Sequence, residues 1–168
     1  DGLLWGFQLW VNLPAKDKMC EPRYQNIPPE SMAEVECNGG AKVKVIAGTV
    51  NGVTGAVKGI TANPLYIDVT IKPNGDFSQP ITEDHNTFAY VIDGEVSFGG
   101  GGETVSPSNL VTFGRGDGVY ADAGEAGGRF LLLSGRPLDE DIVRHGPFVM
   151  NTEEEIEQAI LDYRNGKF

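Results

Sequence analysis

Apolar residues recur at every second position along much of this chain. Near the start, Leu3, Trp5, Phe7, Leu9 and Val11 alternate with Leu4, Gly6, Gln8 and Trp10, the period-two pattern of a strand. Asn12-Leu13-Pro14 ends that opening strand, expected over residues 1–14. Residues 15–41 carry Lys, Glu, Pro and Asn with few apolar anchors, which predicts a surface connection with one helical turn near 29–34. Alternation returns at Lys42, where Val43, Val45 and Ala47 face away from Lys44 and Ile46. Strands are expected at 42–48, 55–59, 65–72, 86–93, 95–98, 110–114, 117–121 and 129–135. Asn74-Gly75 and Asp93-Gly94 supply two-residue turns, the second predicting a hairpin between 88–92 and 95–98. Gly99 to Gly102 reads as a flexible hairpin tip; without a strand before and a helix after, it is no phosphate loop. So many short strands over 42–137 predict an all-β sandwich or small barrel.

The period changes in the C-terminal segment, 138–168. Thr152 and Glu155 have the spacing of a capping box, and three carboxylates in the first turn suit the positive end of a helix dipole. Ile156, Ala159, Ile160 and Tyr163 then recur at helical spacing, and Asn165-Gly166 closes the element, giving a helix over about 152–164.

Composition narrows the function. The chain has 168 residues, enough for one well-buried domain, and its 23 glycines and 10 prolines agree with many tight turns. A net charge of −11 repels phosphate backbones and opposes direct binding to nucleic acid. No apolar stretch approaches the roughly 20 residues of a spanning helix, so no membrane role is expected. Cys20 and Cys37 read as free thiols in a reducing, intracellular compartment, with a single 20–37 bridge as the alternative. The opening Leu3–Val11 pattern, with nothing before it to pair or cap it, reads as part of something longer.

From residue 75 the spacing resembles that of the cupins, small jelly-roll-like β-barrels. Their first motif runs Gly, five residues, His-x-His, three or four residues, Glu, six residues, Gly. Counted from Gly75, the frame reaches Ile81, Glu83, Thr87 and Gly94 without a gap. The second motif, counted from Gly116, passes Asp122-Ala123-Gly124 and puts Gly127 at its histidine. The four ligand positions are thus Ile81, Glu83, Thr87 and Gly127, and one carboxylate does not hold a transition metal against water. No metal, cofactor or catalytic residue is expected here. His85, in Glu83-Asp84-His85-Asn86, reads as a solvated loop residue, and His145 as one that fixes a turn through a backbone carbonyl. Asp139, Glu140 and Asp141 read as a solvated acidic turn.

Longer stretches carry a more specific resemblance. Gly6-Phe7-Gln8-Leu9-Trp10-Val11-Asn12-Leu13-Pro14, Lys18-Met19-Cys20-Glu21-Pro22-Arg23-Tyr24-Gln25 and His145-Gly146-Pro147-Phe148-Val149-Met150-Asn151-Thr152 resemble the C-terminal half of the pirins. Asp162-Tyr163-Arg164-Asn165-Gly166 extends the match, so the likeness spans the chain as one domain. The resemblance implies two stacked cupin barrels, with iron held by three His and one Glu in the N-terminal barrel alone. It also implies a transcriptional coregulator, cytoplasmic or nuclear, or a quercetin 2,3-dioxygenase.

Three functions follow as expectations. The first is a metal-free scaffold and interaction surface, whose partner is the N-terminal barrel or another protein chain and whose Leu3, Trp5 and Phe7 are covered by it. The second is a supporting part of a dioxygenase whose active site lies elsewhere. The third is a flavonol-like small-molecule site inside the barrel, lined by Tyr66, Phe88, Tyr90, Phe113, Tyr120 and Phe130, set against the alternative of a filled core.

Overall fold

The computed structural model describes Gly2 and residues 5–167. It divides into two compact units: Arg23–Pro137, and the segments that flank it.

The Arg23–Pro137 unit is antiparallel β. Its strands are β1 (Ala33–Cys37), β2 (Ala41–Ala47), β3 (Thr49–Val50), β4 (Val53–Thr54), β5 (Leu65–Ile71), β6 (Asp76–Pro80), β7 (Asn86–Phe98), β8 (Thr104–Val105), β9 (Leu110–Thr112) and β10 (Gly118–Gly135). The main sheet runs β1-β2-β5-β10-β7-β8, with β6 added to β10 and β9 to β7; among the described residues the ladder does not close on itself. One face of it is the core. Period-two alternation turns Val43 and Val45 of β2, Ile67 and Val69 of β5, Val91 of β7 and Phe130 and Leu132 of β10 inward, all fully buried. Phe77, Phe98, Phe113 and Phe130 meet edge to face at the centre, with centroids 5.2–5.9 Å apart.

The opposite face of the same sheet is divided. Toward β1 it is charged: Glu34 pairs with Lys42 and Lys44, and Arg129 forks onto Asp68 at 3.0 and 2.7 Å. The guanidinium is held further above its ordinary value by that fork, and Lys42 keeps Glu34 below the usual carboxylate range. Toward β7 it is apolar, with Ile92, Leu131 and Leu133 packed among Tyr66, Phe88 and Tyr90.

Several expected features differ: the 15–41 connection contains β1, and residues 55–59 form no strand beyond an isolated bridge at Val57. Asp93-Gly94 is not a hairpin turn: β7 runs through it, with Gly94 at φ +69° opposite Gly128 of β10. A type I′ turn needs positive φ at both central residues and a type II′ turn at the first, whereas here only the second, Gly94, has it. The strands expected at 117–121 and 129–135 are likewise one long strand, bent by register shifts between Ala123 and Gly128 and between Arg129 and Phe130. The tip at Gly99–Gly102 does join paired strands, β7 and β8.

The flanking unit contains a 3-10 turn at Ala15–Asp17, a hairpin of β11 (Val143–His145) and β12 (Phe148–Met150), and one helix, α1 (Glu153–Arg164). The capping box forms: Thr152 Oγ1 accepts from the Glu155 N–H, and the Glu155 carboxylate accepts from the Thr152 N–H. Ile156 and Ala159 are buried on its inner face, as the spacing predicts, while Tyr163 is exposed and meets the Phe148 ring at 6.0 Å. The expected opening strand is absent over residues 5–14, which pair with no other strand. Alternation marks a chain that can lie flat, but a ladder needs a neighbour's N–H and C=O groups. Leu3 and Leu4 lie outside the described residues. Among the described residues no helix is long and apolar enough to cross a membrane. Both cysteines are free.

Candidate functional site

One end of the β unit gathers polar side chains from five places in the sequence. β2 leads out to Gly48 and Thr49, Asn63 and Pro64 lead into β5, β6 ends at Gln79 and Pro80, and β7 starts just after His85. The last of β10 brings Ser134, which pairs with Thr87 across the ladder. Together they line a cavity of about 230 Å³. Ser134 is 4% exposed and Gln79 9% exposed.

His85 is tied into this end and is not a solvated loop residue. Its Nδ1 lies 3.3 Å from Ser134 Oγ, and Thr87 Oγ1 donates to the same oxygen at 3.0 Å. Ser134 Oγ takes the Thr87 proton and has both a proton and a second lone pair left for His85 Nδ1, so this contact holds the ring in either tautomer and leaves its other nitrogen, Nε2, to bond elsewhere. That nitrogen has no protein partner among the described residues. The signal was absent from the local sequence, because Ser134 is 49 residues away and follows an apolar run.

The four positions counted on the cupin frame do not come together. Ile81 lines the cavity and Thr87 backs it through Ser134, while Glu83 is exposed in the loop. Gly127 lies midway along β10, beside the Gly94–Gly128 pair, about 23 Å of strand from Ser134 at ~3.3 Å per residue. The frame's second half was therefore out of register: Gly118 and Val119 are what β10 places beside Pro80 and Gln79. A cupin iron needs three imidazoles and a carboxylate. This end offers one imidazole already held through Nδ1, and no group of three or more His, Cys, Asp or Glu converges among the described residues. The donor set does not fit iron.

The six aromatic residues expected to line one pocket divide three ways. Phe130 and Phe113 belong to the packed phenylalanine cluster. Tyr66, Phe88 and Tyr90 are on the other face of the sheet, since each follows or precedes an inward residue by one position. Tyr120 is exposed. Burial, and then the neighbouring Asp68 carboxylate, raise the Tyr66 phenol above its ordinary value.

The flanking unit has a different surface. Trp10, Val11, Leu13, Ile142, Val149 and Met150 line an open groove of about 860 Å³, bordered by Lys18 and Arg144. Trp10 is 66% and Ile142 62% exposed. The groove is held in shape from below by Glu140, whose Oε2 accepts from the Ala15 N–H at 2.7 Å and from Asn151 Nδ2 at 3.0 Å. Asp139, Glu140 and Asp141 are all exposed, as expected of a solvated acidic turn, and Glu140 in addition ties two segments together. His145 pairs with Phe148 across the hairpin and is exposed.

A sheet of this order with a polar end defines a cupin-like protein, and the comparisons narrow that class. The pirin C-terminal cupin domain matches residues 66–168, and the chain belongs to the pirin family. It is 41% identical to a pirin-like protein of Solanum lycopersicum, over 96% of this chain and 56% of that protein. It is 40% identical to a putative quercetin 2,3-dioxygenase of Pseudomonas aeruginosa, over 99% of this chain and 60% of that protein. The crystal structure of a quercetin 2,3-dioxygenase from Acinetobacter baumannii superposes with a TM-score of 0.83 at 31% identity, covering 95% of this chain and 55% of that one. The chain thus spans little more than half the length of these relatives.

Proposed function

We propose that this chain is the metal-free cupin half of a pirin-family protein and serves as scaffold and docking surface for a second, iron-holding barrel. The observation that carries the reading is the apolar groove of the flanking unit, where Trp10 and Ile142 are both more than half exposed. An apolar surface of that kind, rimmed by Lys18 and Arg144, is typical of a protein interface. The donor set at the sheet end supports the metal-free part, since it lacks the imidazoles an oxygen-activating iron requires. By resemblance the whole protein is a transcriptional coregulator, and contact with nucleic acid through this half is opposed by its net charge of −11.

The names of the Pseudomonas and Acinetobacter relatives favour a second reading, in which the whole protein is a quercetin 2,3-dioxygenase. The oxygen chemistry then belongs to the other barrel, and this half contributes position and stability alone.

The test is sedimentation velocity of the chain mixed with the separately expressed N-terminal barrel of a pirin relative. An equimolar complex is expected, lost in a Trp10→Asp, Ile142→Asp double variant whose thermal unfolding is unchanged. No complex at micromolar concentration, or equal binding by the variant, overturns the docking reading.

A further inference from the structure

We propose that the cavity at the end of the β unit, bounded by Thr49, Asn63, Gln79, Thr82, His85 and Ser134, binds a small uncharged polyhydroxylated molecule of monosaccharide size. The inference rests on the reading of this end as metal-free, and elemental analysis of the same sample separates failure of one from failure of the other.

Three observations lead there. The first is pre-organisation. Thr87, Ser134 and His85 form a hydrogen-bonded chain anchored on the 4%-exposed Ser134, so the imidazole is held by Nδ1 and keeps Nε2 for a ligand hydroxyl, which can donate or accept as the tautomer requires. Gln79 gives one amide N–H to the Pro80 carbonyl at 3.1 Å, which fixes the side chain and leaves its second N–H as a donor and Oε1 as an acceptor. The rim is set by two left-handed residues, Gly48 at φ +85° and Asn63 at φ +44°. At Gly48 a Cβ would come within 3.1 Å of the Leu65 backbone, so the approach of these two segments depends on glycine.

The second observation is the kind of polarity. Donors and acceptors are interleaved, and no Asp, Glu, Lys or Arg lines the cavity. A hydroxyl both donates and accepts, so several hydroxyls on one ring satisfy such a lining. An ionised ligand would lose its hydration with no counter-charge to replace it, and an anion would also meet the field of a chain at −11. Leu65, Pro80 and Ile81 supply apolar surface for ring C–H groups.

The third is size. At about 230 Å³ the cavity is below the ~300 Å³ at which drug-sized ligands begin, a size that suits a single six-membered ring better than a three-ring flavonol.

The experiment is an amide and imidazole NMR titration of the chain with D-glucose, D-galactose and myo-inositol, each against D-glucuronate and quercetin as contrasts. At least one neutral compound is expected to give saturable shifts at Thr49, Asn63, Thr82 and the His85 ring. Affinity should fall at least tenfold in His85→Leu and again in Thr82→Val, an exposed position whose change leaves the rest of the spectrum in place. The proposal is overturned if none of the three neutral compounds shifts these signals saturably, if glucuronate or quercetin binds there as well or better, or if both variants bind like the parent.

Discussion

Replacing Phe130 with alanine distinguishes a filled β interior from an aromatic-lined pocket. Phe130 is fully buried, and its ring meets Phe77 at 5.9 Å and Phe98 at 5.2 Å, both edge-on. Phe→Ala at such a site costs ~3–5 kcal/mol, of which each edge contact accounts for ~0.5–1.5 kcal/mol. With two such contacts and no exposed edge, the expected loss is about 4 kcal/mol. For a chain of this length that lowers Tm by about 8–16 °C. The assay is urea unfolding of parent and variant, followed by near-ultraviolet circular dichroism, with unchanged denaturant slope as the check that the same transition is read. Tyr120→Ala is the matched control: its side chain is 59% exposed, and a change below about 0.5 kcal/mol is expected. A loss below about 1.5 kcal/mol for Phe130→Ala refutes the filled interior, because a ring on a pocket wall leaves little new void when removed.

Two further outcomes concern α1. Thr152→Ala removes the Oγ1 acceptor of the Glu155 N–H and should cost about 1 kcal/mol, read as a lower midpoint in thermal unfolding of the helix signal. Asp162 accepts from Lys167 Nζ at 2.7 Å and from Gln158 at 2.8 Å, and Lys167 first, then Gln158, hold its carboxyl below the ordinary value. A lowered folded-state value means the contribution is complete above the unfolded value of about 3.9 and is lost as pH falls through the folded one. Acid unfolding below about pH 4 should therefore be steeper in the parent than in Asp162→Asn, and equal slopes would contradict the pairing.

How much of this was legible depended on whether a residue's partner was local. β2 and β5 show their inward faces in plain alternation, and the helix carries its cap, Thr152, three residues ahead of its partner Glu155. β6 was invisible because Phe77 is its one strongly apolar residue and its other inward position is Gln79. β1 hides within an expected connection because Glu34 and Glu36 dominate an edge strand whose outer face is solvated. The opening segment erred in the other direction: it alternates without a ladder to join. At the sheet end, the pairing of His85 with Ser134 depends on a contact 49 residues apart, and the cupin frame failed at Gly127 because a bulged strand breaks simple counting. The aromatic pocket failed on parity, since Phe88 and Tyr90 are one step out of phase with Ala89 and Val91.

The central claim, a cupin half that works without a metal, is tested most directly by elemental analysis of the untagged chain expressed in excess iron. The account predicts iron, manganese, copper, nickel and zinc all well below one atom per chain. A metal near one per chain, retained through gel filtration and lost in His85→Leu, would contradict it and return this half of the protein to catalysis.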